Sequence, residues 1–379
     1  MTWSVYQHWD PLKVCVVGRS YPPEFYSWIK IPHVRDLFEK IAIETEEDYQ
    51  NIIKKLESFG VEVLRPELAK NPMANNKYMP PPMAPRDTMC MIGNKFYTNG
   101  FDLNFDFQNF YDSIKDISWP VCQSLEEFAT LADWIRTECY DVHNLQQIID
   151  DSNPYNKIFA AISNQRNELV FSKHLYASGA MTSRIGRDLY FATDRYDINV
   201  ADYKKIVDSE FTTTRNHVVN TGGHGDGTYC PVCPGLIISL QDVPTYADTF
   251  PGWEVVYLPE QSWTAVQPFL DLKNKNKGKW WIPGFEYDQS VIDVVETWLD
   301  HWTGYVEETV FDVNMLIIDP KNVMIFNYNK QVFDAFERHG ITPHVVHFRH
   351  RYFWDGGIHC VTLDLHREGI MQDYFPQRG

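Results

Sequence analysis

Asn314-Met315-Leu316-Ile317-Ile318-Asp319-Pro320-Lys321-Asn322-Val323-Met324-Ile325-Phe326, continued by Asn327 to Phe348, holds a whole structural unit in one short span. Leu316 to Ile318 and Val323 to Phe326 are short apolar runs separated by the turn residues Asp319, Pro320, Lys321 and Asn322, which predicts two strands. Val332, Phe333 and Phe336 recur at helical spacing, Gly340 stops the helix, and His344 to Phe348 reads as a third strand. The unit is strand, strand, helix, strand, an α/β module.

Its helix-Gly-strand tail is echoed near the start of the chain. Lys13 to Gly18 is a buried-strand pattern, Tyr49, Ile52, Ile53, Leu56 and Phe59 predict a helix over Ile43 to Gly60 behind the acidic Glu44, Glu46, Glu47 and Asp48, and Val61 to Leu64 is a strand. Helix-Gly-strand units are common in α/β proteins, so the echo is only a hint of internal repetition. Further along, the loop Asn71 to Pro85 leads to a predicted hairpin, Thr88 to Ile92 and Lys95 to Thr98 around Gly93-Asn94, with Asp87 at its mouth. Leu189 to Ala192, His217 to Val219 and Gly235 to Ser239 read as further strands. Residues 101–167 are aromatic, acidic and mixed, with a helix expected near Leu125 to Tyr140, and look like an insertion.

The formal net charge of −17 on 379 residues disfavours nucleic acid and anionic membrane surfaces as partners, because both would be repelled over a wide area. A cationic or neutral small molecule fits better. No apolar run approaches the ~18 residues of a membrane-spanning helix, and Met1 to Asp10 has neither the basic and apolar regions of a secretion signal nor the arginines of a transit peptide. Seven scattered cysteines, an odd number in a large chain, suit reduced thiols. A cytoplasmic location is expected.

Chemistry concentrates where predicted strands meet loops. Gly356 and Gly357 precede an apolar stretch, Ile358 to Leu365, that reads as a buried strand, so Cys360 is expected where a rigid element meets a permissive loop. Taken alone, such a cysteine is more often a small core residue than a catalyst. The loop Gly222 to Thr228 is glycine-rich, but Asp226 would repel a phosphate and no Lys-Ser/Thr pair follows. On an extended segment His224 and Asp226 would point to the same side and face one ligand. Cys230-Pro231-Val232-Cys233 lacks a second half with zinc-site spacing and is expected to pack ahead of a buried strand, so no metal is expected. Cys360, His224, Asp226 and Asp87 together suit sulfur attack on a guanidinium carbon. The histidine would act as base and acid, and the two carboxylates would grip the planar cation.

Taken in order, several motifs make the chain resemble the amidinotransferase family, within the guanidino-group-modifying (pentein) superfamily. They are Trp9 to Val14 with Val17-Gly18, Pro85-Arg86-Asp87 with Gly93-Asn94, Arg184 to Asp188, His224 to Thr228, Pro234 to Ser239, Asn314-Met315-Leu316 and Gly356 to Asp364. Among its members the chain looks most like the amidinotransferases of guanidinium-toxin biosynthesis. The resemblance implies one domain over 1–379 with 101–167 inserted. Its expected fold is a five-bladed α/β propeller of strand-strand-helix-strand modules around a polar channel. It also implies roles: Cys360 as nucleophile, His224 as acid and base, and Asp87 and Asp226 as the carboxylates on the guanidinium. The expected substrates are a guanidine donor such as L-arginine and a small primary-amine acceptor such as glycine. No cofactor is required, and there is room for a homodimer.

The chain departs from the family pattern at several substrate-facing positions. An aspartate that orients the histidine falls on Ser178, the arginine that grips the donor carboxylate falls on Val243, and two serines fall on Glu307 and Glu308. Ser178, Glu307 and Glu308 are therefore expected to bind substrate, in a site tuned to a donor or acceptor other than the arginine–glycine pair. Two rival readings use the same scaffold: a hydrolase of the deiminase kind, in which water replaces the amine, and a non-catalytic binding protein.

Overall fold

The structure is a computed structural model that describes residues 2–70, 72–74, 77–98, 154–171, 178–193, 200–221, 223–240, 246–261, 282, 284–285, 287–299, 302 and 312–379. In chain order, β1 (Leu12–Val17) leads through α1 (Pro32–Glu57) to β2 (Glu62–Leu64), and a short ladder of β3 (Met73–Ala74) and β4 (Lys77–Tyr78) follows. A second unit comprises β5 (Met89–Ile92), β6 (Lys95–Thr98), α2 (Asn156–Asn164) and β7 (Glu168–Phe171). A third comprises β8 (Thr182–Ile185), β9 (Asp188–Thr193), α3 (Val200–Glu210) and β10 (Arg215–Asn220). The fourth has β11 (Tyr229–Cys233), β12 (Leu236–Ser239), the single turn α4 (Tyr246–Thr249) and β13 (Glu254–Tyr257), with α5 (Gln289–Trp298) behind it. The fifth has β14 (Leu316–Asp319), β15 (Asn322–Ile325), α6 (Lys330–His339) and β16 (Thr342–Val345), and α7 (Arg351–Trp354) and β17 (Thr362–Arg367) end the sequence of elements.

Each unit has one topology. Two strands pair antiparallel, the chain crosses over through a helix, and the third strand returns parallel to the second. The first unit obeys the same rule although its strands come from opposite ends of the chain: β17 pairs antiparallel with β1, Cys15 opposite Asp364, and β1 pairs parallel with β2. The unit read from Asn314 to Phe348 is therefore the repeat of the whole molecule. Its helix is held by local chemistry: the Asn329 side chain accepts from the Gln331 and Val332 N–H groups, and Gly340 ends it at φ 67, a conformation that costs a Cβ-bearing residue.

Packing ties the units together in sequence. One buried cluster joins the first and second units through Val14, Val16, Leu363, Met89 and Phe96, and another joins the second and third through Cys90, Tyr97, Phe191 and Tyr203. The largest runs from Ile185 and Tyr190 through Leu236, Ile237 and Met324 back to Cys15, Phe38 and Ile52. The three clusters join neighbouring units in chain order, and the last to the first, which is consistent with the expected propeller.

Two local expectations change. The first helix begins at Pro32, well ahead of Ile43, because Val34, Leu37, Phe38 and Ile41 extend its buried stripe and proline is tolerated in the first turn. The last strand begins at Thr362 rather than Ile358, because Ile358 to Val361 close a tight turn, with the Thr362 hydroxyl donating to the Ile358 carbonyl at 2.8 Å. The helix expected near Leu125 to Tyr140 lies outside the described residues. Among those described, no helix is long and apolar enough to cross a membrane.

Candidate active site

The short lead-in before the first strand of each unit converges on one place. Arg86, ahead of β5, offers its carbonyl to the Gly179 and Ala180 N–H groups ahead of β8, at 2.9 and 3.3 Å. The Ala180 carbonyl accepts from the Asp226 N–H at 3.1 Å, ahead of β11. The Asp226 carboxylate takes the Nδ1 hydrogen of His359 at 2.6 Å, ahead of β17. Asn314, ahead of β14, then bonds both His359 and Cys360. All five units thus contribute to one hydrogen-bonded cluster of loop ends.

Cys360 is 1% exposed and its sulfur lies 3.2 Å from Asn314 Nδ2. Asn314 Oδ1 accepts the His359 N–H at 2.8 Å. The glycine at 357 serves this packing: a Cβ there would sit 2.0 Å from Asn314 Oδ1. The permissive loop therefore admits a neighbouring side chain, not only a ligand.

Asp226 is buried, whereas Asp87 and His224 are half-buried. The segment Gly225–Gly227 is a 3-10 turn, not the extended run that would have put His224 and Asp226 side by side. The turn is closed by the Gly227 N–H and the Thr228 hydroxyl, both donating to the His224 carbonyl at 3.2 Å. It fixes the backbone of His224 while Asp226 is held from His359.

His359 is neutral. Burial is the main cause that drives its pKa well below the usual value, and the Arg86 guanidinium and His8 add to it. The neutral form that burial favours donates its Nδ1 hydrogen to Asp226. His8 is depressed in the same way, by burial first and then by Arg184, and its Nε2 accepts the Arg184 backbone N–H at 3.1 Å. Both folded pKa values lie below the unfolded value of about 6.5, so the unfolded chain takes up protons that the native one refuses. Stability is flat above that pH and falls below it. Each histidine should cost about 1 kcal/mol between pH 7 and 5.5. Urea midpoints at the two pH values test this, and equal midpoints, or a slope unmoved by His8→Gln, would contradict it.

Beneath the cysteine lies a charge cluster that the sequence reading did not single out. Asp364 is fully buried and takes Arg184 Nη2 on both oxygens at 2.9 Å, Arg367 Nε at 2.7 Å and Arg86 Nη1 at 3.0 Å. Burial alone would raise its pKa, but Arg184, Arg367 and Arg86 hold it well below the usual carboxylate range. Arg86 also donates through Nε to the carbonyls of His359 and Thr362, at 2.7 and 2.8 Å, on either side of Cys360. The cluster clamps the turn that carries the thiol.

Of the other expected positions, Ser178 is buried and its hydroxyl accepts the Met181 N–H at 3.3 Å, within its own turn. Val243, Glu307 and Glu308 lie outside the described residues. Cys230 and Cys233 belong to strand β11 itself rather than to a loop before a strand. Burial pushes the Cys233 thiol up to about 11 and Cys230 further, which suits packing residues. Among the described residues no group of three or more His, Cys, Asp or Glu side chains is placed to hold a metal ion. Asn314 and His359 are the site residues that motif reading passed over, although both stood inside quoted motifs.

No family profile matches the chain. It is 24% identical over 411 residues to the mitochondrial glycine amidinotransferase of Xenopus laevis, covering 98% of this chain and 84% of that protein. It is 22% identical over 400 residues to inosamine-phosphate amidinotransferase 1 of Streptomyces glaucescens, covering 98% of each. In fold it is similar to SxtG, an amidinotransferase of the saxitoxin biosynthetic pathway from Microseira wollei, with a TM-score of 0.60 at 15% identity over 99% of this chain and 100% of that one. With five units of the expected topology and relatives of one kind along nearly its full length, the chain is similar in sequence and in fold to amidinotransferases.

Proposed function

We propose that the protein moves an amidino group from a guanidine donor, L-arginine or a relative, to a small primary amine such as glycine, with Cys360 as the covalent carrier. The observation that carries this reading is the run Cys360, Asn314, His359, Asp226, which links a buried sulfur through hydrogen bonds to a held carboxylate. A guanidinium gripped by Asp226 and Asp87 through its N–H forks would present its carbon to that sulfur. The thiolate adds to the carbon, the C–N bond to the donor amine breaks, and that amine leaves with a proton from His224. The acceptor amine then adds to the amidino-cysteine and gives a proton to His224, and the C–S bond breaks to return the thiolate.

Transfer and hydrolysis differ only in what attacks the intermediate. With L-arginine as donor, ornithine formed in proportion to added amine is the expected result. Citrulline or ammonia released without any amine would assign the protein to hydrolysis instead. His224→Asn should lower turnover about 10²- to 10⁴-fold, the range for losing a general acid and base. A loss under threefold in steady-state assay would remove His224 from that role. Five described cysteines are buried and unbridged, which supports a reducing compartment such as the cytoplasm.

A further inference from the structure

We propose that Asn314 is a positioning residue for the nucleophile, holding the Cys360 sulfur by a hydrogen bond that favours its anionic form. This rests on Cys360 being the nucleophile, as argued above. The direction of the amide follows from the backbone. An N–H can only donate, so the atom 2.8 Å from the His359 nitrogen must be the Asn314 oxygen, and the NH₂ end then faces Cys360 Sγ at 3.2 Å. In that contact the sulfur must accept. A neutral thiol is a weak acceptor and a thiolate a strong one, so the bond gains strength when the proton leaves.

The surroundings keep the amide in this pose. Asn314 is 3% exposed, it stands immediately before β14, and its oxygen is anchored to the residue preceding the cysteine. Gly357 leaves the space its side chain fills, since any Cβ there would lie 2.0 Å from Oδ1 and 2.3 Å from Cγ. The fifth unit thereby reaches across to the first at the atom where the chemistry occurs. Sulfur and amide are 46 residues apart in sequence, and only the fold brings them together.

The test is the rate of alkylation of Cys360 by iodoacetamide in the full-length protein, followed by intact mass and peptide mapping between pH 5 and 10. Asn314→Asp keeps the shape and the acceptor for His359 but loses the donor. Gly357→Ala leaves Asn314 in the sequence and displaces its side chain. In both, alkylation at pH 7 is expected to fall roughly tenfold or more and the pH profile to move upward, the size set by a hydrogen bond to a charged acceptor. Urea unfolding should show both variants folded at the assay pH. A general loosening of the fold would instead speed alkylation of the other buried cysteines along with Cys360, and that outcome would overturn the proposal. So would a folded pair of variants with the wild-type rate and profile, which would leave the nucleophile reading standing. If wild-type Cys360 reacts no faster than a free thiol at neutral pH, the nucleophile reading fails and this inference falls with it.

Discussion

Cys360→Ala is expected to abolish the covalent adduct with the donor and to lower turnover by on the order of 10⁴-fold or more, the loss typical when a nucleophile acting as a unit with its partners is removed. Cys360 is buried in a turn whose carbonyls are clamped by Arg86, and its sulfur is tied to Asn314. Alanine removes one atom from a turn braced by backbone and arginine bonds, so the loss to folding is confined to the sulfur's own contacts, the Asn314 hydrogen bond among them. Activity should therefore vanish while the unfolding free energy falls by only about 1–3 kcal/mol, the range for a buried donor that loses its acceptor. Cys360→Ser is expected to be nearly as inactive, because a hydroxyl in the same place ionises far less readily than a thiol. Intact mass after mixing with L-arginine alone reads the intermediate directly: a gain of one amidino group on the wild type, lost on adding an amine and absent from both variants. Turnover by Cys360→Ala within tenfold of wild type would end the covalent reading.

How much of this was legible beforehand depends on the range of the interaction. The span from Asn314 to Phe348 spelled out its own strands, turn, helix and stop, because hydrophobic spacing and capping act within a few residues. Pro32 hid the start of the first helix, since proline punctuates loops as readily as it opens helices. The closure of β1 on β17 could be inferred only by resemblance, for no local pattern in Leu12 to Val17 names a partner at the other end of the chain. Cys360, His224, Asp226 and Asp87 emerged from residue type, and their roles from the order of motifs. Asn314 and His359 did not, although they were written in the same motifs. A string of letters does not say that the carboxylate at 226 is met by a histidine 133 residues away. Burial decides it, by making His359 a neutral donor.

Asp364→Asn should have the largest effect on stability of any single substitution at the site, about 3–5 kcal/mol, the usual penalty for leaving buried charges unpaired. Three guanidiniums, all but fully buried, surround this one carboxylate, and each also donates to neutral carbonyls: Met91 for Arg184, His359 and Thr362 for Arg86, Asp10 for Arg367. An amide in its place would keep the shape but withdraw the charge against which Arg184, Arg367 and Arg86 are held. The cost would be a large part of the roughly 5–15 kcal/mol that separates folded from unfolded chains. Because Arg86 carries the strain to the carbonyls flanking Cys360, activity should fall in the fraction that remains folded as well. An exposed pair such as Lys330 and Asp334 gives the contrast: Asp334→Asn should leave the urea midpoint close to wild type. Urea unfolding at pH 7 compares the two. An Asp364→Asn midpoint no further from wild type than that of Asp334→Asn would mean that the arginines are paired by something other than this carboxylate, and that the clamp on the cysteine turn does not depend on it.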